Sequence, residues 1–303
     1  MVLPQKIVIS ASRRTDIPAF YMDWFFKQLN LGRFKVVNPF NHRIRRVPAT
    51  SYKIDTFVFW SKNFGPFLEN GHGEKLRSLG YHLFFNFSIN SEDRLLESKI
   101  PPLSERLDQL SCLSQRFGPK SIIWRFDPIC FYRVNNGPLK DNLKDFLTIA
   151  KTAVDCGITR CVTSFLDQYK KVRQRAKKQQ NIIFEDISIK AKVSLIQKLA
   201  TELHPLNIAL KTCCEKKVVE AVGNKRVLTA AGCIPNDLLM ELFGGHLSLR
   251  KDSGQRVKAG CGCKVSVDIG SYSLHPCHHD CLFCYANPAC DGKYRDGNDQ
   301  IAV

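Results

Sequence analysis

The sequence predicts an α/β fold built on a parallel sheet. A single (β/α) barrel, partial or full and TIM-like, accounts for it best, and a doubly wound open sheet is the second reading. Three observations lead there. Short apolar runs of strand length alternate with segments of helical period about six times, the pattern of parallel strands joined by right-handed crossovers. Polar residues gather where those strands end, and in barrels the C-terminal strand ends carry the active site. The 303 residues, 44% of them hydrophobic, can bury one large core or at most two modest ones.

The elements follow in order. Residues 6–12 form a short buried-strand pattern, ending in the polar turn Arg13-Arg14-Thr15-Asp16-Ile17-Pro18. Residues 20–29 carry apolar residues at helical spacing. Residues 34–38 are β-rich and stop at Pro39, a turn signal. Strands are predicted over 56–60, ending at Ser61-Lys62-Asn63, and over 82–90. Leu103–Phe117 is amphipathic and helical, closed by Gly118-Pro119. The next strand, 121–128, ends in Arg125, Asp127 and Pro128. A helix over 143–154 stops near Gly157, a strand covers 160–165, a helix 187–203, and the last clear strand 207–212. The densest basic run, Lys170 to Lys178, reads first as a solvated loop or helix face and second as a phosphate-contacting patch.

The formal charge is +17. A polyanionic partner is the natural inference, either nucleic acid or a phosphorylated or carboxylated substrate; a basic surface without a dedicated partner is the plain alternative. No apolar run approaches the roughly 20 residues a membrane span needs, and the N-terminus lacks the layout of a signal peptide. A cytoplasmic protein is therefore expected. Its thirteen cysteines, an odd number clustered late in the chain, then read as metal ligands rather than disulfides.

Cys277-His-His-Asp-Cys281-Leu-Phe-Cys284-Tyr285-Ala-Asn287 places three cysteines at C-x3-C-x2-C. A loop of that size can turn three thiolates toward one point, which suits a thiophilic metal or an iron–sulfur cluster. A four-iron cluster held by three thiolates keeps one iron open. Structural zinc, with His275, His278 or His279 as fourth ligand, is the other reading.

The spacing, with Phe283 before the third cysteine and Tyr285-Ala286-Asn287 after it, resembles the cluster motif of radical S-adenosylmethionine (SAM) enzymes, in particular the spore photoproduct lyase and DNA repair photolyase-like branch. Several strand tips resemble segments of that branch: Thr15-Asp16, Ser61-Lys62-Asn63, Ser88-Ile89-Asn90 and Arg125-Phe126-Asp127-Pro128. They follow in the family's order, except that the cluster motif comes last. The layout looks like a bacterial family of circularly permuted radical SAM-like proteins, a domain of unknown function. The resemblance implies that residues 265–272 are the displaced first barrel strand, parallel to residues 6–10. It implies a barrel body over 1–212, a cysteine-containing insertion over 213–264, the displaced cluster element over 265–290, and a tail over 291–303.

What the resemblance implies for function is a radical SAM enzyme. A 4Fe–4S cluster on Cys277, Cys281 and Cys284 would cleave SAM to a 5′-deoxyadenosyl radical, fed by an electron donor such as flavodoxin or ferredoxin. Arg125, Asp127 and Lys62 are the candidate catalytic residues, and Ser88, Asn90, Ser12, Asp16, Tyr285 and Asn287 the candidate cofactor-binding residues. No Gly-Gly-Glu segment of the kind many such enzymes use for the SAM amino group is present. Cys261-Gly-Cys263, with Cys233 and Cys214 (preferred to Cys213), makes a four-thiolate set. It suits a second 4Fe–4S cluster or zinc. The competing function is a non-catalytic nucleic-acid-binding protein with zinc or an iron–sulfur cluster.

Overall fold

The computed structural model describes residues 5–38, 43–224 and 228–286; Asn287, Cys290 and the expected tail lie outside the described residues. Its centre is an eight-stranded sheet: β1 Ile7–Ala11, β2 Ile54–Ser61, β3 His82–Ser88, β4 Ile122–Ile129, β5 Arg160–Phe165, β6 Ala209–Thr212, β7 Thr229–Ala230 and β8 Val267–Asp268. Every neighbouring pair is parallel. The spatial order is β8-β1-β2-β3-β4-β5-β6-β7.

That order corrects the second reading. A doubly wound sheet reverses direction at a switch point, whereas β1 to β7 succeed one another without reversal. The order is also not a closed barrel. Among the described residues β7 and β8 remain edges; each is two residues long, which leaves few ladder hydrogen bonds with which to join them. Residues 265–272 do run parallel to β1, with Ile9 opposite Val267 and Ser10 opposite Asp268.

A strand presents alternate side chains to opposite faces, and here both faces are buried. Ile9, Phe57, Phe59, Phe85, Trp124 and Cys161 pack with helices α1 Met22–Asn30, α2 Leu103–Phe117, α3 Phe146–Asp155 and α5 Ile189–Leu203. Between α3 and α5 in the chain lies α4 Lys170–Gln180. Val8, Val58, Phe84, Ile123 and Val162 point the other way, into a second cluster with Cys213, Cys233, Cys261, Cys263 and residues of α6 Asn236–Phe243. The stretch from 228 to 264 thus covers the face of the sheet that the other helices leave open.

Local signals hold at several ends. α2 stops at Gly118, whose φ of 84° is left-handed, and the turn after α3 passes through Gly157 at φ 75°. Strand Ile44–Pro48, antiparallel to Arg33–Val37, was hidden by its exposed Arg45 and Arg46. The antiparallel sheet of Phe131–Val134, Lys140–Asp141 and Ile182–Glu185 was hidden by its short strands. The basic run 170–178 lies in α4, but it is not a uniformly solvated face: Val172, Arg175 and Ala176 are buried. No helix among the described residues is long and apolar enough to cross a membrane.

Candidate functional site

The strand tips and the cysteine loop after β8 surround a cavity of about 680 Å³, within the roughly 300–1,000 Å³ of small-molecule sites. Its wall includes Ser12, Asp16, Lys62, Ser88, Arg125 and Asp127 from the strand ends, and Cys277, Cys281, Cys284 and Tyr285 from the loop. Cys213, Cys214, Cys233, Cys261 and Cys263 line it as well. Asn90 is not among the lining residues. Its side-chain oxygen accepts the Asp127 N–H at 2.9 Å, so it supports the wall from behind.

The loop is brought there by β8. Asp268 at its end accepts hydrogen bonds from Ser10 Oγ at 2.7 Å, Ser12 Oγ at 2.6 Å and the Arg13 N–H at 2.8 Å. These bonds join residues some 255 positions apart in the chain and lock the tip of β8 to the tip of β1. At Gly270 the fit is tight: a Cβ would stand 2.1 Å from Ser12 Oγ. Further on, His279 Nε2 lies 2.7 Å from Asp16 Oδ2, an oxygen that also accepts from Ser61 Oγ and the Lys62 N–H, each at 2.9 Å. The other Asp16 oxygen accepts the Ala19 N–H and caps a short helix. Asp16 is 5% exposed. Ser12 and Asp16, which the resemblance assigns to SAM, therefore have their side-chain oxygens engaged in holding the loop.

The far side of the loop is anchored too. The Leu282 N–H donates to Leu96 O at 2.8 Å. The buried Arg175 of α4 donates to the carbonyls of Leu282 at 3.0 Å and Cys284 at 2.7 Å. Lys62 pairs with the buried Glu97 at 2.5 Å, and Glu97 lies 3.8 Å from Cys281 Sγ. Burial opposes the Lys62 charge, but the Glu97 carboxylate beside it more than offsets this and raises its pKa. Burial also pushes the triad thiols up, Cys277 to about 12 and Cys281 and Cys284 above the ordinary thiol value. Three neutral thiols are thus stored at the cavity wall, and a bound cation would draw them to thiolates.

Arg125 and Asp127 form an ion pair at the end of β4, and Ser164 donates to Asp127. Desolvation opposes both charges. Cys233 and Asp127 nonetheless hold the guanidinium charged, and Arg125 keeps the Asp127 carboxyl below its usual range.

The remaining cysteines form one cluster. Cys213 Sγ lies 3.6 Å from both Cys214 Sγ and Cys233 Sγ. Cys261 meets Cys213, Cys214 and Cys263, and Cys263 meets Cys233. The Cys233 N–H donates to Cys263 Sγ at 3.2 Å, and Arg125 Nη1 stands 3.1 Å from Cys233 Sγ. As they stand, no three His, Cys, Asp or Glu side chains among the described residues are set to hold a metal ion; these sulfurs rest against one another instead. Sequence reasoning preferred Cys214 to Cys213 because Glu215 follows it at the start of a helix; the structure brings both sulfurs into the cluster. Sequence reasoning also passed over Glu97, Arg175 and Asp268 as site residues, since each acts through partners remote in sequence.

The family described as Domain of unknown function (DUF1848) matches residues 8–286. No curated protein matches the chain.

Proposed function

We propose that this chain, which belongs to the DUF1848 family, is a radical SAM-type iron–sulfur enzyme acting on an anionic substrate in the cytoplasm. One observation carries the reading: Cys277, Cys281 and Cys284 line the same cavity as the polar tips of a parallel sheet, delivered there by a strand that lies beside β1 although it comes last in the chain. In this reading the sheet is a partial barrel, circularly permuted so that its cluster-bearing element is C-terminal.

The donor set fits a 4Fe–4S cluster. Three cysteines on one loop suit three irons, and the imidazole of His279, which lines the same cavity, is already engaged with Asp16. His278 Nε2 lies 3.3 Å from Tyr21 Oη. The fourth iron would be left for SAM. When bound, such a cluster supplies the electron that cleaves SAM to methionine and a 5′-deoxyadenosyl radical, with flavodoxin or ferredoxin as the external donor. The chain's own residues do the rest. Asp268, Asp16 and Arg175 hold the loop, and Lys62 sets a positive charge beside the buried Cys281. Arg125 and Asp127 present a fixed polar pair to the cavity, and Ser88 and Tyr285 complete its wall. The +17 charge supports a nucleic acid or another anion as substrate.

Anaerobic reconstitution with iron and sulfide, then dithionite and SAM, should release 5′-deoxyadenosine and methionine slowly without any substrate. Cys281→Ala should abolish release. Wild-type protein that carries an intact cluster yet neither binds nor cleaves SAM would leave the non-catalytic metal protein as the better reading.

A further inference from the structure

The second cysteine cluster lies outside the proposed reaction, and its geometry favours one kind of ion. Cys213, Cys233, Cys263 and Cys261 form a closed ring of contacts: 213 with 233, 233 with 263, 263 with 261, and 261 back to 213. The sulfur separations of 3.6 Å, from Cys213 to Cys233 and from Cys213 to Cys214, are close to the edge of a tetrahedron with metal–sulfur bonds of about 2.3 Å, roughly 3.8 Å. A cubane cluster spreads its four thiolates onto separate irons and would need these sulfurs to move apart. A single ion needs only small side-chain rotations from sulfur–sulfur contact onto a common centre.

The backbone is shaped for the same purpose. The strip 231–233 presses against 261–263, with the Gly262 N–H donating to Ala231 O at 3.2 Å. A Cβ on Gly232 would stand 2.7 Å from Gly262 O, and one on Gly262 2.9 Å from Ala231 O. Glycine between the two cysteines is therefore needed for close approach. The Cys233 N–H bond to Cys263 Sγ is an outer hydrogen bond of the kind that orients metal ligands. Four thiolates on a divalent ion leave a net charge of −2. Two guanidiniums face it, Arg125 against Cys233 and Arg13 against Cys263.

We infer that Cys213, Cys233, Cys261 and Cys263 bind one zinc ion in a closed tetrathiolate site that pins the 228–264 segment to the end of β6. Cys214, half-buried and at a left-handed φ of 61°, touches Cys213 and Cys261, but the ring closes through Cys233 and Cys263 without it. The ligand is then Cys213, where the sequence reading prefers Cys214. Four protein ligands leave no open position, so the ion is structural and shapes the cavity wall.

The inference does not rest on the SAM reading, and the test separates the two. The Cys277→Ala/Cys281→Ala/Cys284→Ala variant, expressed with zinc and iron both supplied, should retain a single zinc per chain and no iron by elemental analysis. Cys214→Ser should keep that zinc, and Cys213→Ser should lose it. Because Cys213→Ser can also misfold, cobalt substitution of the triad variant gives a second readout: the intense visible ligand-field bands of tetrahedral sulfur coordination. Four irons with sulfide in the triad variant, no metal at all, or zinc lost on Cys214→Ser instead would each overturn the inference.

Discussion

The side chain of Gly262 is a single hydrogen atom, where any other residue would bring a β-carbon. Its Cβ would meet Ala231 O at 2.9 Å and Gly232 N at 3.1 Å. These are backbone atoms, so a flexible side chain cannot yield instead. Gly262→Ala should cost about 1–3 kcal/mol through overpacking, read as a lower denaturation midpoint under anaerobic, reducing conditions. The cysteines on either side are untouched, so the variant separates backbone fit from ligand chemistry. An unchanged midpoint would mean that the two strips need not lie this close. The spacing Cys261-Gly-Cys263 was visible in the sequence; the backbone strip that demands the glycine was not.

At the scale of elements, α4 carries a prediction. Arg175 lies within a run of lysines and arginines, yet it is 5% exposed and donates to carbonyls of the cysteine loop. Arg175→Ala leaves those buried acceptors without donors, at about 1–3 kcal/mol. Reconstituted iron content should fall, while the zinc at the other cysteine set stays. Equal loss of both metals would show a global defect instead. The pairing of β2 with β3 carries another. Burial works to raise the pKa of Asp55, but hydrogen bonds with His82 Nδ1 at 3.3 Å and Thr56 Oγ1 at 2.8 Å outweigh it and hold the carboxyl below its ordinary value. A depressed folded-state pKa contributes stability that is present above the unfolded value. That stability is lost as pH falls through the folded value, so the loss begins below about pH 4. Asp55→Asn should therefore flatten the acid limb of a stability–pH profile.

The whole molecule carries a charge of +17, and charge on that scale acts at long range. If the partner is a nucleic acid, affinity for a short single-stranded oligonucleotide should fall steeply with salt, by about 0.7 in the logarithmic slope for each phosphate neutralised. Binding with no salt dependence, or none at low salt, would return the charge to a plain basic surface.

Much of this fold was legible because burial leaves a period in the sequence. Apolar runs such as Phe57 to Trp60, alternating with helices such as Leu103–Phe117, announce an α/β fold with a parallel sheet. Gly118 and Gly157 mark where two helices must turn. The cysteine spacing announces a loop of three thiolates. What periodicity does not carry is partnership. It tells which side of a strand is buried and nothing about which strand lies alongside. The resemblance, not the periodicity, put residues 265–272 beside β1, and the pairing holds; only the tertiary structure showed that Asp268 reaches Ser10 and Ser12 to fasten it, and that Cys213 belongs to the second cysteine cluster. Those contacts join residues far apart in the chain, and they form because packing both faces of one sheet brings its strand ends, and the loops they carry, to the same place.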